Sequence, residues 1–83
     1  MRIQEDIAQT LKPAEIVTLD NLVIGARVRR GPDWEWGTQD NNGEGLIRRE
    51  VDRFPGWVEV IWGGVCAFTY RIGAEDKYDL EYV

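Results

Sequence analysis

Trp57-Val58-Glu59-Val60-Ile61-Trp62 is the stretch that decides the fold. Successive side chains of an extended chain point to opposite faces, so Val58, Val60 and Trp62 share one face and Trp57, Glu59 and Ile61 the other. β-branched and aromatic residues at this density suit a pleated surface buried on one side. Gly63-Gly64 follows at once and is a hairpin signal, since glycine supplies the positive φ that tight hairpin turns require. The chain then resumes with Val65 to Arg71, so the two runs read as the arms of an antiparallel hairpin.

The same texture extends in both directions. Ala26-Arg27-Val28-Arg29-Arg30 alternates with period two, and Gly31-Pro32-Asp33 breaks it. Trp34 to Gly43 reads as a long loop with Gly37, Asn41, Asn42 and Gly43 as turn residues. Gly45 to Val51 is a second, less regular strand, and Phe54-Pro55-Gly56 a turn. Gly73 to Lys77 is a further turn, and Leu80 to Val83 a short closing strand. About five short strands with turns at close spacing predict an all-β fold, a small closed or nearly closed β-barrel over residues 25–83. An SH3-like barrel is the first choice and an OB-like barrel the second, because closure removes the free edges of a small antiparallel sheet. Residues 1–24 form an N-terminal extension. Ile3, Ile7 and Leu11 share one face of a short helix over 2–12 that Pro13 ends, and an extended lead-in, Val17 to Ile24, follows.

Composition narrows the function. A chain of 83 residues supports one modest core, to which Trp34, Trp36, Trp57 and Trp62 bring large area per residue. The formal net charge of −5 disfavours nucleic acid as partner. Arg27, Arg29, Arg30, Arg48, Arg49 and Arg53 therefore read as solvated strand positions. There is one cysteine and no histidine, which removes the internal disulfide, the usual zinc ligand set and the commonest general base. Cys66 lies between Val65 and Ala67 and reads as a buried structural thiol. No glycine motif cradles a phosphate. No catalytic residue, metal or cofactor is assigned. Without a bilayer-spanning run or an apolar signal core, the expectation is a monomeric cytoplasmic or nuclear module with no membrane partner.

Several blocks carry a resemblance. Gly25-Ala26-Arg27-Val28-Arg29-Arg30-Gly31-Pro32-Asp33-Trp34-Glu35-Trp36-Gly37-Thr38-Gln39-Asp40 resembles the opening signature of the Mind bomb/HERC domain of large ubiquitin ligases. Glu44-Gly45, then Gly56-Trp57-Val58 with Val60 and Trp62, and Tyr70-Arg71 through Asp79-Leu80 are similar to its later blocks, in the same order. The resemblance implies an SH3-like barrel used for protein recognition, with any ligase chemistry in a HECT or RING region elsewhere. Gly63 replaces an acidic residue of the family pattern, Phe68 a polar one, and Asn41-Asn42 a glycine-rich pair. These departures fall at loop tips, where binding specificity usually resides.

The same residues suggest a site. Asp33 and Asp40 are placed to accept backbone N–H groups across the long loop, and Arg30 and Arg71 to pair with Asp33, Asp40 or Asp79 through the guanidinium fork. With Gln39 these form a polar set that structures the loop. Trp62 belongs to the core, and Tyr70 and Tyr78 to the barrel ends. Trp34, Trp36, Trp57 and Phe68 are the candidate partner-binding aromatics. The Trp34–Trp36 loop and the strand after Gly63 would line a groove for an extended peptide, and Trp57 is a further candidate on the face opposite Trp62. Core duty is the competing reading for at least two of the three tryptophans. The favoured function is a non-catalytic docking module of a larger E3 ubiquitin ligase. Two alternatives stay open: a methyl-lysine reader with an aromatic cage, and a purely architectural packing module.

Overall fold

The computed structural model describes residues 15–83, so the helix expected over residues 2–12 lies outside the described residues. Five strands follow one another: β1 (Arg27–Arg30), β2 (Gly45–Glu50), β3 (Trp57–Trp62), β4 (Cys66–Arg71) and β5 (Leu80–Tyr82). A short 3₁₀ turn at Ala74–Asp76 precedes β5. β3 occupies the six residues expected of it, and each other strand is one residue shorter than its sequence pattern. The fold is all-β, a single antiparallel sheet in the order β4-β3-β2-β1-β5.

Alternation along β3 sets the inside. Val58, Val60 and Trp62 are buried, while Trp57, Glu59 and Ile61 are half-buried on the outer face. Val17, Val28, Ile47, Tyr70, Ile72 and Leu80 complete the core. Ile47 pairs with Val60 and Arg49 with Glu59, which leaves Arg48 as an extra residue in β2. Such a bulge bends its strand and increases local twist, which is why β2 reads irregularly in the sequence and how the sheet curls. Gly45 of β2 lies under the Trp62 indole. A Cβ there would sit 2.6 Å from Trp62 Cε3 and 2.7 Å from Val60 Cγ1, so only glycine admits the ring.

The curl brings the outer strands together at one end. Ile72, just past β4, bridges Tyr78, just before β5, and the Asp79 N–H donates to the Arg71 carbonyl at 2.8 Å. The far edge of β5 is covered by the lead-in. Ile16 bridges Glu81, the Val17 N–H donates to Leu80 O at 3.1 Å, and the Tyr82 N–H to Glu15 O at 2.8 Å. Val17 is fully buried, so the lead-in contributes to the core as well as to the edge.

Candidate functional site

Arg30 leaves the end of β1 and meets the far end of the loop that follows. Its Nε and Nη2 donate to Asp40 Oδ2 and Oδ1, both at 2.7 Å, and Nη2 also reaches Asn42 Oδ1 at 2.8 Å. Asp40 is buried, and its Oδ1 accepts the Asn42 N–H at 3.0 Å. The guanidinium hydrogen bond holds the Asp40 carboxyl below the usual carboxylate range. Asn41 and Asn42 both adopt positive φ, 57° and 54°, a conformation asparagine tolerates better than other side-chain-bearing residues. This is how a pair of asparagines occupies the glycine-rich position of the resemblance.

A second arginine closes the other side. Arg71 and Asp79 are both buried, and Arg71 Nε and Nη2 donate to Asp79 Oδ2 and Oδ1 at 2.9 and 3.0 Å. Asp79 Oδ2 also accepts the Arg71 N–H at 2.9 Å and Trp36 Nε1–H at 3.0 Å. Arg71 Nη2 reaches Glu35 at 2.6 Å and Nη1 reaches Glu75 at 3.2 Å. The Asp79 hydrogen bond, opposed by desolvation, raises the Arg71 pKa, so the group stays charged. Asp33 Oδ2 accepts the Tyr78 N–H at 2.7 Å, tying the loop entrance to the strand before β5.

These polar links seat the two loop tryptophans. Trp34 stacks on Tyr70 with ring centroids 5.0 Å apart and meets Trp62 edge-on at 5.8 Å. Arg30 Cζ lies 5.5 Å from the Trp34 ring, and Arg71 Cζ 5.1 Å from the Trp36 ring. Both indoles are half-buried against the core. Their faces are engaged by Tyr70 and by the chain's own guanidinium groups, which fills the positions where a methyl-lysine cage would hold its cation. Tyr70, expected at a barrel end, is fully buried in the core. Its hydroxyl accepts Trp62 Nε1–H and donates to Gln39 Oε1, both at 2.9 Å.

Burial, reinforced by Asp40 and Asp79 and partly offset by the Trp62 hydrogen bond, pushes the Tyr70 hydroxyl up to about 12. The folded value lies above the unfolded value of about 10. The contribution to stability is therefore complete below about pH 10 and disappears as pH rises through about 12. Absorbance at 295 nm during alkaline titration is expected to show a late tyrosinate step that Tyr70→Phe abolishes. A Tyr70→Phe curve superimposable on the wild type would contradict this environment.

The candidate aromatics are not brought into one groove. Trp34 and Trp36 close the loop side of the core. Trp57 sits on the outer face, where it lines a depression of about 280 Å³ with Val51, Phe54 and Thr69. Phe68 pairs with Val60 in the inward register of β4, yet is 40% exposed. Phe54 and Val51 were not singled out from the sequence. The signal was present, since a phenylalanine opening a Pro-Gly turn has no strand to pack in, and Phe54 is 61% exposed. Cys66 corrects its sequence reading: it is exposed rather than buried. It is the first residue of β4 and lies opposite Trp62, next to the Gly63–Val65 turn, where no further strand among the described residues covers it. Among the described residues no group of three or more His, Cys, Asp or Glu side chains could hold a metal ion, and no helix is long and apolar enough to cross a membrane.

What emerges is a small all-β domain whose charged and aromatic side chains hold its own loops and whose outer face carries an apolar depression. The chain belongs to the Mib_herc2 family, whose model matches residues 25–83. It is 39% identical to the E3 ubiquitin-protein ligase Ufd4 of Drosophila melanogaster over 95% of its own length and 3% of that protein. It is 47% identical to mouse E3 ubiquitin-protein ligase HERC2, across 75% of the chain and 1% of that protein. With chicken E3 ubiquitin-protein ligase MIB2 the identity is 42%, across 78% of the chain and 7% of that protein. The chain thus spans only a few per cent of these three relatives, each of which is an E3 ubiquitin-protein ligase.

Proposed function

We propose that this chain is a non-catalytic docking module of a larger E3 ubiquitin ligase, an SH3-like barrel that positions a polypeptide substrate or partner while ubiquitin transfer takes place elsewhere. The observation that carries the docking role is the outer-face depression at Trp57. It combines a half-buried indole, an exposed Phe54 and the apolar wall of Val51, a surface that a folded core does not need and that suits an apolar anchor. The ligase context comes from the family match and from the relatives, which are E3 ligases carrying a similar segment.

Selection of a random decapeptide display library on the 83-residue chain tests the role directly. Ligands are expected, and Trp57→Ala is expected to weaken them about 30-fold, the effect of losing a central aromatic worth about 2 kcal/mol. Far-UV circular dichroism of the variant should remain that of the wild type. Ligands that bind Trp57→Ala and wild type equally would remove the depression as the anchor.

A further inference from the structure

The two outermost strands of the sheet are treated differently by the rest of the chain. β5 is covered along its edge by residues 15–17. Among the described residues, β4 is closed only at its last residue. The Arg71 N–H donates to Asp79 Oδ2 and the Arg71 carbonyl accepts the Asp79 N–H, so both groups of Arg71 point away from β3. Orientation alternates along an antiparallel strand, so the N–H and C=O of Thr69 and of Ala67 point the same way as those of Arg71. The side chains along this edge provide none of the usual protection. Val65-Cys66-Ala67-Phe68-Thr69-Tyr70 contains no charged residue and no proline, and Val65 to Thr69 are all exposed. Natural edge strands are normally blunted by lysine, proline, bulges or a covering segment.

We propose, building on the docking role above, that the β4 edge at Ala67 and Thr69 accepts an extended segment of another protein as an added strand, with a lysine or arginine at the end nearest Arg71. Two features of the edge set this chemistry. The central edge is uncharged and suits a partner strand of uncharged, β-prone residues. Its Arg71 end is acidic on balance: Glu35, Glu75 and buried Asp79 all surround the one guanidinium, and the first two are largely exposed. A second copy of the chain is the less suitable occupant, because each copy has a formal charge of −5 and association would bring like charges together. The added strand would lie about 4.8 Å from β4, with alternate side chains beside Phe68 on one face and Thr69 on the other.

Decapeptides selected on the wild-type chain supply the probe, and amide hydrogen exchange read by NMR supplies the position. The Ala67 and Thr69 amides are expected to slow at least tenfold when ligand is bound, and the selected sequences to carry an uncharged centre with a basic residue at one end. Ala67→Pro removes an N–H that makes no bond to β3, and Ala67→Lys places a charge on the edge. Each is expected to weaken the ligands at least tenfold with the circular dichroism spectrum retained, so that failure of one variant to fold leaves the other. Ligands that bind, depend on Trp57 and leave both amides unchanged would overturn the edge assignment while preserving the docking role. Selection of no ligand would overturn both. Protection of the two amides in the free chain, together with a dimer mass in sedimentation, would assign the edge to a second copy and overturn the proposal.

Discussion

Arg71→Ala lowers the unfolding free energy by about 3–5 kcal/mol, the cost of stripping one member from a buried ion pair. A domain of this size has about 5–10 kcal/mol in total, so the variant is expected to be largely unfolded at modest urea concentrations. The physical reason is the position of Asp79. Its carboxylate is completely buried, and removal of the guanidinium leaves a charge with two of its four hydrogen bonds gone. The remaining donors, the Arg71 N–H and Trp36 Nε1–H, both go to Oδ2, so Oδ1 is orphaned. Replacing both partners by apolar residues rescues many buried pairs. Here Arg71→Met with Asp79→Leu is not expected to do so, because it strands those same two donors. Urea unfolding followed by far-UV circular dichroism measures both variants. A single variant within about 1 kcal/mol of wild type would show that the Arg71–Asp79 pair does not hold the loop and the β4–β5 end together.

Trp62→Ala is expected to cost about 3–5 kcal/mol, the range for truncating a large buried aromatic. Three features of its surroundings place it at the upper end. Gly45 beneath the ring has no side chain with which to fill the vacated space. Trp34 and Tyr70 lose an edge-on aromatic neighbour at 5.8 and 5.7 Å. The buried Tyr70 hydroxyl loses its donor. Trp62→Phe retains part of the ring and gives up the indole N–H, so it should cost less than half as much, and the difference between the two variants reports the cavity. Equal midpoints for Trp62→Ala and the wild type, with an unchanged denaturant slope, would mean that this ring is not the centre of the core.

Much of the fold was legible because strand periodicity is local. β3 announces itself through six alternating residues, and the glycines on either side of the strands mark where the chain must turn. The loop-pinning arginines and aspartates were legible as residue types, since long loops with embedded Arg and Asp are commonly tied down by forked hydrogen bonds. Which carboxylate each arginine takes was not legible. Arg30 and Asp40 are ten residues apart and Arg71 and Asp79 eight, and nothing in those spacings selects one pairing over another. The exposure of Cys66 escaped for a similar reason: apolar neighbours in sequence say nothing about whether a further strand lies beside them.

From its sequence alone this protein had its strands, its all-β class, its family and the types of side chain available for recognition, because each depends on residues close together in the chain or on a linear pattern. Only the tertiary structure decided that Trp34 and Trp36 face Tyr70 and two arginines, that Trp57 shares a depression with Phe54, and that among the described residues one sheet edge is covered while most of the other is not. Those outcomes depend on how far the sheet curls and on which segments return to meet it. Curl is a sum of small twists over every strand pair, which no single stretch of residues encodes.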